Sequence, residues 1–176
     1  PYVTIDGEDA KDFDDAIYVE RDGKGFKLYV AIADVSFFVR PGTQLDKEAK
    51  GRATSVYFPG FCLPMLPEFL SNELCSLRPQ EEKLAMTAQM HFSALGVFES
   101  AKFYPSLIKT ARRLTYTQAQ AFFDKDPETL RDLSSLAEPL KTALELYHKL
   151  DEQRRQRGVL DFDLPESKIQ IDRDGK

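Results

Sequence analysis

Leu130, Leu133, Leu136, Leu140, Leu144, Tyr147 and Leu150 recur at spacings of three and four, the pattern of one apolar stripe on a helix surface. Such a stripe has to be buried against another element, and most of the chain before it reads as strand. Pro139 interrupts the stripe and suits the first turn of a second helix; Gly158 then ends that helix. Strands are expected over 2–5, 16–20 and 26–35, the last two joined by the turn Asp22-Gly23-Lys24-Gly25. The run 28–33 is continuously apolar, which predicts a strand covered on both faces. Thr43 is placed to cap a helix reaching about Gly51. Residues 56–67 contain Pro59, Gly60, Pro64 and Pro67 and read as a rigid loop with apolar side chains. A long antiparallel pair is expected over 84–92 and 97–109, turning at Ala94-Leu95-Gly96, followed by a short helix over 115–123. Residues 159–165 read as extended, with a strand over 168–172. Strands first and helices later give an α+β class: a mixed, mainly antiparallel sheet with packed helices.

The apolar fraction of 42%, with 13 Phe and 7 Tyr, supplies a core and excludes disorder as a description of the whole chain. The longest apolar run is far shorter than the roughly 20 residues of a membrane helix, so no membrane partner is expected. The first residues carry no basic, apolar leader, and Asn72, the sole asparagine, stands outside any Asn-x-Ser/Thr sequon. Cys62 and Cys75 are too few for a disulfide framework or a zinc site. These features predict a reducing, cytoplasmic setting, and a start at Pro1 predicts a segment of a longer polypeptide.

Charge is distributed unevenly. The first twenty residues hold seven carboxylates against Lys11, a balance more negative than the −5 of the whole chain, so the remainder is slightly basic. Asp6, Asp12, Asp14 and Asp15 fall within ten residues. Side chains two apart on extended backbone share a face, so Asp12 and Asp14 point together and Asp15 points away unless the backbone bends. Four carboxylates so close resist joint ionisation unless cations sit among them. Oxygen donors without His or Cys suit Mg²⁺ or Mn²⁺, and such clusters are a device for phosphoryl transfer; a solvated acidic loop is the other reading. An EF-hand starting at Asp12 fails, with Ile17 where the loop needs Gly and Gly23 where it needs Glu. Glu8, Asp9, Arg112 and Arg113 are read as solvated, and Asp34 as a structural acceptor rather than a metal ligand. His91 and His148 are read as core or surface residues rather than a general base, and Cys75 as packed.

The string TIDGEDAKDFDDA over residues 4–16 closely resembles the signature of the ribonuclease II/ribonuclease R (RNB) family of 3′→5′ exoribonucleases. VAIADVS (30–36), SVYFP (55–59), PMLP (64–67), LSN (70–72), LCSL (74–77), RLTYT (113–117), RG (157–158) and LDF (160–162) follow in family order, with the flavour of the bacterial ribonuclease R branch. The resemblance implies that Asp6, Asp12, Asp14 and Asp15 form the family's Mg²⁺-binding quartet, with Asp14 most tied to cleavage. It implies that Tyr57 and Phe162 bracket the 3′-terminal nucleotides of single-stranded RNA, and that Tyr116 lies near the ribose, so that DNA is not an expected substrate. Plain packing is the alternative reading of all three rings: Tyr57 as a core plug, Phe162 as a core-facing strand residue, Tyr116 as packing at a helix start. The family's catalytic domain is about twice as long as this chain, so residues 1–176 are expected to be its N-terminal portion. The later half and the flanking barrel domains that feed in RNA are then missing, and a fragment poorly active alone is expected. The implied activity is Mg²⁺-dependent, processive hydrolysis of single-stranded RNA to nucleoside 5′-monophosphates. The alternative is a catalytically silent relative that binds RNA as a regulator, which the four retained aspartates disfavour.

Overall fold

The computed structural model describes residues 1–58 and 61–160. Its centre is a closed five-stranded barrel of β1 (Tyr2–Asp6), β2 (Asp15–Asp22), β3 (Gly25–Ala33), β6 (Glu82–Phe92) and β7 (Phe98–Thr115), in that order around the wall. Neighbouring strands run antiparallel except β1 and β7, which close the barrel in parallel, Asp6 lying against Thr115. A two-stranded hairpin, β4 (Val56–Phe58) and β5 (Phe61–Leu63), stands apart. The helices are α1 (Val35–Phe38), α2 (Gln44–Arg52), α3 (Tyr116–Phe123), α4 (Pro127–Asp132) and α5 (Ala137–Gln156), with a π-helical turn at Phe69–Leu74 and a 3₁₀ turn at Ser134–Leu136. Mixed elements with a mainly antiparallel sheet are the class expected; closure into a barrel is the addition.

Alternation along the strands sorts the core into an inside and an outside. Val3, Leu114 and Phe122 pack with Leu133, Leu136 and Leu140 of the helical segment, and Val19, Phe26 and Phe92 pack with Leu146. Helices cannot lie within so narrow a barrel, so this face is the outer one. The inner face carries Ala16, Ala31, Ala33, Ala85 and Ile108, small for the most part, and Phe13, Leu70, Cys75 and Leu77 plug the end at which β1 finishes. Ala16 registers with Ala31, and Ala33 with Ala85. Among the described residues no helix is long and apolar enough to cross a membrane.

Several sequence expectations need correction. Strand β3 is not covered on both faces: Ala31 and Ala33 are buried inside, but Ile32 is 47% exposed, because no helix lies over that part of the outer wall. The strand ends at Ala33 because Asp34 caps α1, its Oδ1 accepting from Phe37 N at 3.1 Å and Ser36 Oγ at 2.6 Å. The proline-punctuated segment holds a hairpin rather than loop throughout, since its prolines fall outside both strands. Strand β7 runs six residues past the expected Lys109, because β1 supplies a partner for Thr110 to Thr115. The leucine stripe changes phase across the 3₁₀ turn. Beyond Pro139, which does sit in the first turn of α5, the buried apolar positions are Leu140 and Leu146, with Ala143 and Leu150 beside them, Thr142 also buried and Tyr147 exposed. The helix stops at Gly158, whose φ of 80° is left-handed, as its sequence position suggested. The strand expected over 168–172 lies outside the described residues, as does most of the extended run expected over 159–165.

Candidate active site

The acidic segment is the connection from β1 to β2. Asp6 is the last residue of β1, Asp15 the first of β2 facing Ile32, and the residues between them are irregular. An irregular loop needs partners for its backbone, and these come from far along the chain. Ser76 Oγ donates to Lys11 O at 2.8 Å and accepts from Phe13 N at 3.1 Å, and Leu77 N donates to Phe13 O at 2.7 Å. Ala33 N donates to Asp14 O at 2.8 Å. On the other side, Arg113 Nη2 donates to Gly7 O at 2.5 Å and Glu8 O at 3.0 Å, while Thr117 Oγ1 donates to Glu8 Oε1 at 2.7 Å.

Phe13 is buried in the plug, Asp12 and Asp14 on either side of it are exposed, and all three line a cleft of about 420 Å³. The same cleft is lined by Tyr57 and Cys62 of the β4–β5 hairpin, which register with one another. Tyr57 is 74% exposed, so it is no core plug. Val56, Phe58, Phe61 and Leu63 occupy the hairpin's other face and are exposed, with the Phe58 and Phe61 rings stacked at 4.8 Å.

Asp6 and Asp15 flank the loop that carries Asp12 and Asp14. Burial pushes the Asp6 carboxyl above the usual range; Asp15 and Asp14 push it further, with Arg113 opposing. Burial likewise raises Asp15, and Asp14 adds to it. The structure thus connects Asp6, Asp14 and Asp15 electrostatically and places Asp12 with Asp14 on the cleft wall. Tyr116, 64% exposed, begins α3 next to the residue that registers with Asp6, but it does not line the cleft. Phe162 lies outside the described residues.

Among the described residues, no three His, Cys, Asp or Glu side chains converge into a ready metal cage. The donors nevertheless fit a hard divalent cation in kind. Asp6 Oδ2 is buried and accepts no hydrogen bond, and the carboxylates around it repel one another.

Both raised carboxyls titrate above the 3.8 of a free aspartate, so the folded protein retains protons that the unfolded chain has released. Stability therefore falls as pH rises through that window. In buffer free of divalent cations, Asp15→Asn should melt at a higher temperature than the parent at pH 7, and the gap should close as pH approaches 3.8. A variant that melts lower than the parent at pH 7 contradicts this account of the pair.

Two sequence readings are overturned here. Arg113 is not solvated: its guanidinium holds the acidic loop and lies 5.5 Å from the Phe13 ring centroid. Nor is Glu8 merely solvated, since Thr117 binds it and holds its carboxyl below the usual range. Arg112 pairs with Asp132 at 2.5 Å. Ser76 stands in the LCSL block, but its hold on the acidic loop was not read from it. The available signal for Arg113 was its two-residue spacing from Thr115, which becomes meaningful only once β7 is known to lie beside β1. Asp34 caps a helix, as read, and His91 bridges Asp22 and Gln89 away from the acidic loop.

The RNB domain family profile matches residues 1–176. The chain is 48% identical over 170 residues to ribonuclease R of Escherichia coli (strain K12), covering 96% of this chain and 21% of that relative. It thus spans about a fifth of the relative's length. It superposes on the solved structure of Mycoplasma genitalium RNase R in complex with double-stranded RNA with a TM-score of 0.88 at 36% identity, covering 99% of this chain and 31% of that one. The same protein has been solved with ribose methylated single-stranded RNA. Yeast Ssd1, a pseudonuclease, shares the fold at 19% identity and a TM-score of 0.73, covering 88% of this chain and 18% of its own.

Proposed function

The chain belongs to the RNB domain family, and from that premise we propose that it forms the aspartate-bearing part of a hydrolytic 3′→5′ exoribonuclease acting on single-stranded RNA. The observation that carries the reading is a cleft lined both by Asp12 and Asp14 and by the exposed Tyr57, next to Asp6 and Asp15, whose carboxyls are raised by burial and by neighbouring carboxylates. A backbone phosphate can meet carboxylates there while a base meets an aromatic face.

Asp6, Asp12, Asp14 and Asp15 would hold Mg²⁺, with Mn²⁺ as a substitute, and the orphaned Asp6 Oδ2 supports that assignment. When bound, the metal supplies charge neutralisation at the scissile phosphate and a more acidic water. Asp14, open to the cleft, is the carboxylate we tie to the cleavage step. Tyr57 stacks a base near the 3′ end, an interaction worth roughly 1–3 kcal/mol per base that tolerates any sequence, as an enzyme advancing along RNA requires. Phe162 is assigned the partner ring, and Tyr116 the ribose. A 2′-hydroxyl sensed at Tyr116 would spare DNA. Processive release of 5′-monophosphates completes the proposal, and the free thiols of Cys62 and Cys75 are in keeping with a cytoplasmic setting.

The test is digestion of 5′-labelled single-stranded RNA by the complete polypeptide that carries this chain, with Mg²⁺ and with EDTA, beside DNA of the same sequence. Shortening of the RNA from its 3′ end only in Mg²⁺, with release of nucleoside 5′-monophosphates and DNA left intact, is the expected result. RNA that is bound equally in both buffers and never shortened would establish a silent binder instead.

A further inference from the structure

We infer that Arg113 is a positioning residue that sets the conformation in which the acidic loop accepts a divalent cation. The inference rests on the reading of that loop as the cation site.

One guanidinium nitrogen, Nη2, donates to two successive backbone carbonyls, Gly7 O at 2.5 Å and Glu8 O at 3.0 Å, just after Asp6. The planar face of the same group lies over Phe13, the buried residue between Asp12 and Asp14. A single side chain therefore touches the loop immediately after its first aspartate and again between two later ones. Arg113 is itself held by the β7–β1 ladder, where it registers with Thr4, two residues before Asp6. Two residues on, Thr115 caps α3 through a reciprocal pair of bonds with Gln118, and Thr117 in the first turn of that helix binds Glu8. The clamp thus has a rigid base in the barrel wall and a rigid neighbour in α3.

The second line of support is electrostatic. Arg113 Nε is buried without a hydrogen-bond partner, as is Asp6 Oδ2. This part-buried cation opposes the repulsion at Asp6 and so supplies counter-charge before any metal arrives. Lysine keeps the charge but has no planar group that can lie over the Phe13 ring while its terminal nitrogen reaches the Gly7 and Glu8 carbonyls. The conservative exchange is therefore the informative one.

The experiment uses the complete polypeptide with Arg113→Lys, Arg113→Gln and, as reference, Asp14→Asn. Three quantities are read: thermal unfolding, hydrogen–deuterium exchange of the 7–14 amides in metal-free protein, and Mn²⁺ affinity by electron paramagnetic resonance. Arg113→Lys should unfold cooperatively near the parent's temperature, exchange the loop amides about tenfold faster, and bind Mn²⁺ about ten- to a hundredfold more weakly, the range found when residues behind metal ligands are lost. Arg113→Gln should do the same or worse. Parental exchange and Mn²⁺ affinity in Arg113→Lys would overturn the inference. So would loss of cooperative unfolding in both variants, which would assign Arg113 to the fold alone. The underlying reading fails separately, if the parent binds no Mn²⁺ or if Asp14→Asn degrades RNA at the parental rate.

Discussion

Asp14→Asn in the complete polypeptide should lower RNA degradation by about a thousandfold or more while leaving the protein folded. The loss corresponds to about 4 kcal/mol of transition-state stabilisation, the scale expected when a charged group at a phosphoryl-transfer site is neutralised. The fold should survive because the structural bond of Asp14 is made by its main chain, which accepts from Ala33 N at 2.8 Å, and asparagine keeps that carbonyl. Neutralising Asp14 also removes one source of repulsion from both Asp6 and Asp15, so the variant should melt no lower than its parent. Degradation rate and melting temperature would be measured on the same preparation. Activity within tenfold of the parent would remove Asp14 from the chemistry.

Phe26→Ala should do the reverse, costing about 4 kcal/mol of stability and sparing the activity of molecules that remain folded. Phe26 is 1% exposed at the start of β3, packed with Val19, Phe92 and Leu146 where α5 crosses the barrel, and the Arg21 guanidinium lies 4.5 Å from its ring centroid. Truncation there opens a cavity bounded by two ladders and a helix, none of which can easily close over it. With native stability ordinarily only 5–15 kcal/mol, such a loss would be plain in a urea titration. A shift below about 1 kcal/mol would mean that α5 is not held as described.

The two substitutions also separate what is legible in the sequence from what is not. Turns and caps were legible because their chemistry is local: Gly23 and Gly25 at the β2–β3 hairpin, Thr43 before a helix, Pro139 in a first turn, Gly158 at a last one. Barrel closure was not, because the parallel pairing of β1 with β7 joins segments with no local signal for each other, and the far end of β7 was misjudged with it. Arg113 and Glu8 looked like ordinary surface charges for that reason; their roles exist only across that seam. The exposed side of Ile32 follows similarly, since an apolar run cannot tell which side of a curved wall lacks a helix. The hairpin behind Tyr57 was hidden by prolines that flank its strands without entering them.

The seam has a temporal consequence. Gly7 and Arg113, which bond across it, are 106 positions apart in the chain. At ordinary translation speeds, roughly 5–20 s separate the appearance of the aspartates from that of the arginine that holds their loop. Closing so long a loop is the slow, entropically costly step of such a topology, and it comes after the local hairpins have formed. During synthesis the carboxylates therefore exist for seconds as a loose acidic string, with no β7 for β1 to join. Any capacity to hold a cation in fixed geometry would arrive abruptly with the last ladder. A nascent chain of this design would acquire its chemistry only once its barrel is shut.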